Sequence, residues 1–236
     1  MEFKLIWFDS FGAKSSCTLV KTKDVKILID PGIAIMHSSF PASFAKKVYW
    51  TERGRREILK AAKEAGIITI SHYHWDHFLN KMKIYENKIL FVKNPNEYIN
   101  DSQRKRALEF FQNIWKEFGK REIKFEKQRK KKFEDCVRGL KSLKKDFGDY
   151  QKRREELFKK GRKWFEVRMK RWKNFKIIPE AHFENLKIFY PEGKRFKFGK
   201  TTIKFTKPFF HGIEYSRVGW VFSTVIVEGK KAYPFK

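Results

Sequence analysis

The sequence predicts an α/β domain, on three observations. Short apolar runs open the chain, set apart by turn residues as in a strand meander. A helical pattern over 55–65 then passes through Gly66 into the fully apolar Ile67-Ile68-Thr69-Ile70. Directly after that run, three histidines and an aspartate crowd into one loop, and α/β proteins collect their sites at the carboxyl ends of strands.

The elements follow in chain order. Stretches 3–8, 17–20 and 25–29 read as strands, and Asp30-Pro31-Gly32 stops the third. In 55–65, Ile58, Ala61, Ala62 and Ala65 keep helical spacing. A strand is expected over 88–92, closed by Asn94-Pro95-Asn96, and a helix over 101–118 with Leu108, Phe111, Ile114, Trp115 and Phe118 on one face. Strands resume over 186–190, 195–198 and 201–205, and a last strand pattern runs over 217–227.

Charge divides the chain. The whole carries +28, from 55 basic and 27 acidic residues, and the excess is densest in the middle. Such an excess bears on partners rather than fold, and suits nucleic acid, an anionic surface or an acidic subunit. Residues 119–178 read as a basic helical insertion of one or two long helices projecting from the domain. Val137, Leu140, Leu143, Phe147 and Tyr150 keep helical spacing, as do Phe158, Phe165 and Trp172. A content of 41% hydrophobic residues excludes a disordered chain. Cys17 and Cys136 build no disulfide framework, the start has no signal-peptide pattern, and no apolar run reaches the roughly 18 residues of a membrane span. A soluble cytoplasmic protein is the expectation.

The loop Ser71-His72-Tyr73-His74-Trp75-Asp76-His77 carries the chemistry. Neutral imidazole and carboxylate are what Zn²⁺, Fe²⁺ or Mn²⁺ take as ligands. Imidazoles at i and i+2 can converge on one ion, and the next two groups can bend toward a second. One or two ions, zinc first, would activate water at neutral pH.

His72-x-His74-x-Asp76-His77 after an apolar strand resembles the metal motif of the metallo-β-lactamase fold superfamily, whose members are mostly zinc-dependent hydrolases with a four-layer αββα sandwich. Asp30 before its Pro-Gly turn resembles the acid that supports the metal loop from behind. Phe209-Phe210-His211-Gly212 resembles the motif whose histidine completes the first metal site. Asn100-x-Ser102-Gln103-x-x-Arg106-Ala107 and the stretch 199–211 are similar to an uncharacterised archaeal branch of the superfamily. The resemblance implies one metallo-β-lactamase-like domain over 1–236, with 119–178 added within it. It further implies that His72, His74 and His211 hold a first metal, that Asp76 with His77 begins a second, and that Asp76 orients or deprotonates the attacking water.

The sequence departs from that pattern near its end. No Asp follows Asp149 and no His follows His211, so the superfamily's bridging aspartate and last histidine have no counterpart. The expectation is an incomplete second half, C-terminally truncated. A companion chain supplying the missing part, a decayed gene and a mononuclear site are the three explanations, and the first is preferred.

In the insertion, Arg162-Lys163-Trp164 and Lys170-Arg171-Trp172 alternate cations with aromatics, which suits phosphate contacts plus base stacking. The competing reading is a solvated helix whose aromatics pack inward. The functional readings are therefore two. One is a metal-dependent hydrolase of a phosphodiester or other ester, alone or as one part of a split enzyme. The other is a basic nucleic-acid-binding protein with a structural or vestigial metal site.

Overall fold

The computed structural model describes residues 1–128, 131–140, 145–229 and 231–235. Its frame is an eight-stranded mixed sheet. The strands are β1 (Glu2–Ser10), β2 (Ala13–Lys21), β3 (Lys26–Ile29), β4 (Ala34–Ile35), β5 (Ile67–Ile70), β6 (Lys88–Val92), β7 (Ala181–Phe183) and β8 (Leu186–Phe189). They run in the order β1-β2-β3-β5-β6-β8-β7, with β4 beside β2. The central four, β3, β5, β6 and β8, pair parallel.

Alternation along these strands makes two cores. Leu19, Leu28, Ile68, Ile70, Leu90 and Val92 face α1 (Phe44–Glu64) and α2 (Asp101–Phe118), meeting Ile58, Ala61, Phe111 and Ile114. The intervening Val20, Ile27, Ile29, Ile67 and Phe91 face a second sheet and meet Ile203, Phe205 and Ile226. That sheet contains β9 (Arg195–Phe198), β10 (Thr201–Phe205), β13 (Thr224–Glu228) and β14 (Lys231–Phe235), in the order β14-β13-β10-β9. A small hairpin of β11 (Phe209–Phe210) and β12 (Trp220–Val221) stands apart from both sheets. The described residues thus build an α/β/β arrangement, three layers of the four expected.

Several expectations change. Helix α1 begins at Phe44, well before 55, capped by Ser43, whose hydroxyl accepts from the Lys46 amide. Gly54, expected on the approach to the helix, lies inside it, because a Cβ there would stand 2.4 Å from Ile33 and 2.7 Å from Trp7. The single strand expected over 217–227 is two, β12 and β13, pairing with β11 and β10 respectively. Strand β14 has no counterpart among the expected elements.

The stretch 119–178 differs most from expectation. Its helix is α3 (Gln151–Lys173), and among the described residues of 119–147 there is no α-helix. Leu143 lies outside the described residues. Helix α3 does not project: Phe165 and Trp172 are buried in the core they share with α2. Their seven-residue spacing marks the face that packs inward.

Candidate metal centre

Parallel β3 and β5 end side by side, and the chain beyond each end builds the site. Past β3, Asp30 takes a left-handed backbone (φ 49°), which aspartate tolerates better than most residues. Its fully buried carboxylate accepts from the Ser71 amide and hydroxyl, both at 2.7 Å, and pairs with His77 Nδ1 at 2.9 Å. Gly32 lets the two loops touch, since a Cβ there would lie 2.2 Å from the His77 nitrogen and 2.1 Å from that of Phe78. Tyr73 turns the other way, into the core, and its hydroxyl donates to the Lys93 carbonyl. Trp75 stays on the surface, stacked on Phe78 at 5.0 Å. The loop therefore alternates: aromatics outward or into the core, histidines toward one another.

The imidazoles gather around His72, itself buried. Ring centres of His74, His77 and His211 lie 4.5, 3.9 and 4.9 Å from that of His72. His72 Nε2 is 2.9 Å from His74 Nδ1. Ligand atoms of His72, His77 and His211 all lie within 4.8 Å of one another. Two nitrogens bound to one tetrahedral zinc at about 2.0–2.1 Å would stand roughly 3.3 Å apart. The cluster has the right scale, and its donors are those of a transition-metal site, so the residues fit such an ion. His77, which the motif allots to a second ion, stands closer to His72 than His211 does.

Electrostatics separate the roles. Burial holds His72 well below its ordinary value, with the charge on His77 adding to it. Burial, then Arg106, brings His74 down to about 4. Both are neutral imidazoles near pH 7, as a ligand must be. Burial disfavours a charged His77, but Asp30 and Asp76 outweigh it and raise that ring to about 9. Burial likewise opposes ionisation of Asp76, and His77 at 3.2 Å with Lys14 at 3.1 Å overcomes it, holding the carboxyl far below its usual range.

His211 sits in the loop after β11, where its amide donates to the Gly219 carbonyl at 2.9 Å across the hairpin. Helix α3 braces that hairpin. Trp164 stacks flat on Trp220, with ring centres 5.3 Å apart and planes 4° apart, while Phe165 lies 6.4 Å from Phe210. Trp172 is fully buried and donates its indole N–H to the Ile99 carbonyl. Trp172 can then offer no face to a nucleic-acid base, which corrects the stacking expected of it, and the half-buried Trp164 has one face taken by Trp220. Arg162, Lys163, Lys170 and Arg171 lie on the outer side of α3, with Arg171 paired to Asp101. His37 and His182 lie exposed and outside the cluster.

Residues that sequence reasoning missed are those that reach the site through folding. Lys14 comes from β2, and Ser16 Oγ stands 3.2 Å from His77 Nδ1. Gln103 comes from α2. It belongs to a motif noted above, but nothing local in the sequence gives it a task.

No family model matches the chain. It is similar to a UPF0282 protein of Methanocaldococcus jannaschii, at 29% identity over 239 residues, 94% of this chain and 57% of that protein. A UPF0282 protein of Sulfolobus acidocaldarius is 40% identical over 124 residues, 48% of this chain and 39% of its own length. One from Korarchaeum cryptofilum is 40% identical over 114 residues, 45% of this chain and 37% of its own length. The chain thus spans at most a little over half of these curated relatives. Among solved structures, the subclass B3 metallo-β-lactamase MEM-A1 from a soil metagenome library aligns over 94% of this chain and 56% of its own, with TM-score 0.35 and 11% identity. The chain is similar to archaeal UPF0282 proteins; among the described residues no helix is long and apolar enough to cross a membrane.

Proposed function

We propose that this chain is a metal-dependent hydrolase domain of the metallo-β-lactamase type, acting on a phosphodiester or other ester. The observation that carries the reading is the convergence of His72, His77 and His211, joined by His74 Nδ1 at 2.9 Å from His72 Nε2. His72, His74 and His211 would hold one ion, and His77 with Asp76 the beginning of a second. Zinc suits this set, and iron or manganese would fit the same donors. A bound ion supplies Lewis-acid activation of water and of the ester oxygen.

The chain's own groups do the rest. Asp76, kept ionised by His77 and Lys14, would orient or deprotonate the attacking water. Lys14, half exposed beside it, offers a positive charge to an anionic substrate. Asp30 fixes His77 and the Ser71 turn, and so the direction in which the loop presents its rings.

Metal content and turnover of a chromogenic phosphodiester test the reading. They are measured on the chain with and without any polypeptide that co-purifies, because five donors serve one ion fully and a second only in part. His72→Ala is expected to weaken zinc binding by on the order of 100-fold or more, beyond the usual cost of an outer partner, and to abolish turnover. A wild-type chain that holds no metal, or equal metal in both proteins, would sink it.

A second reading, nucleic-acid binding with the metal in a structural role, is favoured by one observation. Helix α3 presents Arg162, Lys163 and Lys170 on the element that braces the hairpin of His211. Replacing Lys163 and Lys170 by glutamate leaves the buried face intact, while Arg162, which also reaches the Tyr215 hydroxyl, is kept. Binding to single-stranded nucleic acid should then weaken, and its log–log salt slope should fall by about 1 for each phosphate no longer neutralised. Binding that survives His74→Ala, without ester turnover, selects this reading. An unchanged salt slope in the double variant removes it.

A further inference from the structure

One face of α2 ties the two ligand-bearing segments together. Asn100, Gln103 and Arg106 recur every third residue there, so they share a face. Asn100 caps the helix, its Oδ1 accepting from the Gln103 amide at 2.9 Å, while its Nδ2 donates to the carbonyls of Arg217 at 3.0 Å and Val218 at 2.9 Å. Arg106 Nε donates to the Tyr73 carbonyl, between the first two histidines. Gln103 stands between these two and meets both segments. Its Nε2 donates to the Val218 carbonyl at 2.8 Å and lies 3.3 Å from His74 Nε2.

Two details set Gln103 apart from an ordinary packed glutamine. It is fully buried, yet its Oε1 has no hydrogen-bond partner among the described residues, a costly arrangement unless another state uses that oxygen. The hairpin also makes room for it. Gly219 has φ 115°, and a Cβ there would stand 2.5 Å from Gln103 Nε2. Its carbonyl receives the His211 amide, so the residue that admits Gln103 also holds His211.

We propose that Gln103 is a positioning residue of the metal centre, fixing the His74 ring through its outward nitrogen and joining it to the hairpin that carries His211. This rests on the metallo-hydrolase reading. His74 Nδ1 faces His72 Nε2, which leaves Nε2 as the nitrogen turned away from the cluster. An imidazole that binds a metal through Nδ1 carries its proton on Nε2 and needs an acceptor there. The amide meets either tautomer: its N–H serves an unprotonated Nε2, and its Oε1 serves a protonated one. Asn100 Nδ2 keeps the Val218 carbonyl bonded when the amide turns.

The test compares Gln103→Met, which fills the space without hydrogen bonds, with Gln103→Glu, which keeps an acceptor for His74. Zinc affinity is read by chelator competition, and ligand geometry by the absorption spectrum of the cobalt-loaded chain. Methionine should weaken zinc by about 10–100-fold and shift the cobalt bands, while glutamate should bind within a few-fold of wild type. A methionine variant that binds zinc and cobalt as wild type does overturns the proposal. So does a glutamate variant that folds but binds as weakly as methionine. If methionine fails to fold, the glutamate result alone decides. A wild-type chain that takes up no metal defeats the hydrolase reading instead. The proposal is then read on the metal-free chain by ring-nitrogen NMR, where His74 should carry its proton on Nδ1 in wild type and lose that preference in Gln103→Met. An unchanged tautomer overturns it.

Discussion

Asp30→Ala is expected to destabilise the metal-free chain by about 3 kcal/mol, measured by denaturant unfolding. The carboxylate is fully buried and satisfies three donors at once: the Ser71 amide, the Ser71 hydroxyl and His77 Nδ1. Alanine would leave all three without it, in a place that water reaches poorly. It would also remove the larger of the two charges that keep His77 protonated, leaving Asp76 at 3.2 Å as its remaining acidic partner, so that ring should titrate lower. Asp30→Asn separates the two effects. Asparagine tolerates the same left-handed backbone and has nearly the same shape, so most of the packing should survive. His77 should nonetheless fall from about 9 toward the ordinary 6.5, as followed by NMR titration. An Asp30→Asn chain that still titrates near 9 would show that Asp76 holds the proton.

Stability against pH gives the second large effect. His77 is raised in the folded chain to about 9 against an ordinary 6.5, so its contribution is complete below 6.5 and disappears as pH rises through 9. By linkage this amounts to at most about 3 kcal/mol. His72 and His74 are lowered, so their contribution has the opposite sense: present above 6.5, and lost as pH falls below it. The chelator-treated chain should therefore be most stable near neutrality, with a limb falling to either side. His77→Gln should remove the alkaline limb and leave most of the acid limb, since burial is the first cause of the lowered His72 and His74. Thermal unfolding across pH checks this, and an alkaline limb that persists in the variant would assign it to other groups.

What is legible in the sequence is local. The stretches 67–70, 88–92 and 101–118 have the same bounds in the sequence pattern as β5, β6 and α2 have in the fold, because each is an apolar or periodic run between strong stops. The four histidines of the cluster are legible for the same reason: three share one loop, and the fourth follows an aromatic pair. Differences arise where tertiary packing overrides local signals. Gly54 looks like a helix breaker until Trp7 and Ile33 are seen filling the space beside it. Strands of two residues, such as β11 and β12, have no periodicity to read. Trp164 and Trp172 beside cations suggest a stacking surface, and only the folded hairpin supplies Trp220 as their partner. Lys14 and Gln103 approach the histidines from β2 and α2, and no spacing rule connects them to the loop.

The packing of Trp164, Phe165 and Trp172 against the β11–β12 hairpin changes how 119–178 can be manipulated. A segment whose indoles fill the core is no detachable module, whatever its charge. Excising it would bare Trp220 and Phe210 and free the loop that holds His211, so a truncation series would report collapse of the hairpin and be mistaken for loss of a ligand. Surface exchange on the outer side of α3 is the dissection that leaves the interior as it was. Whatever engages that outer side does so on the helix whose opposite face packs against the hairpin that carries His211.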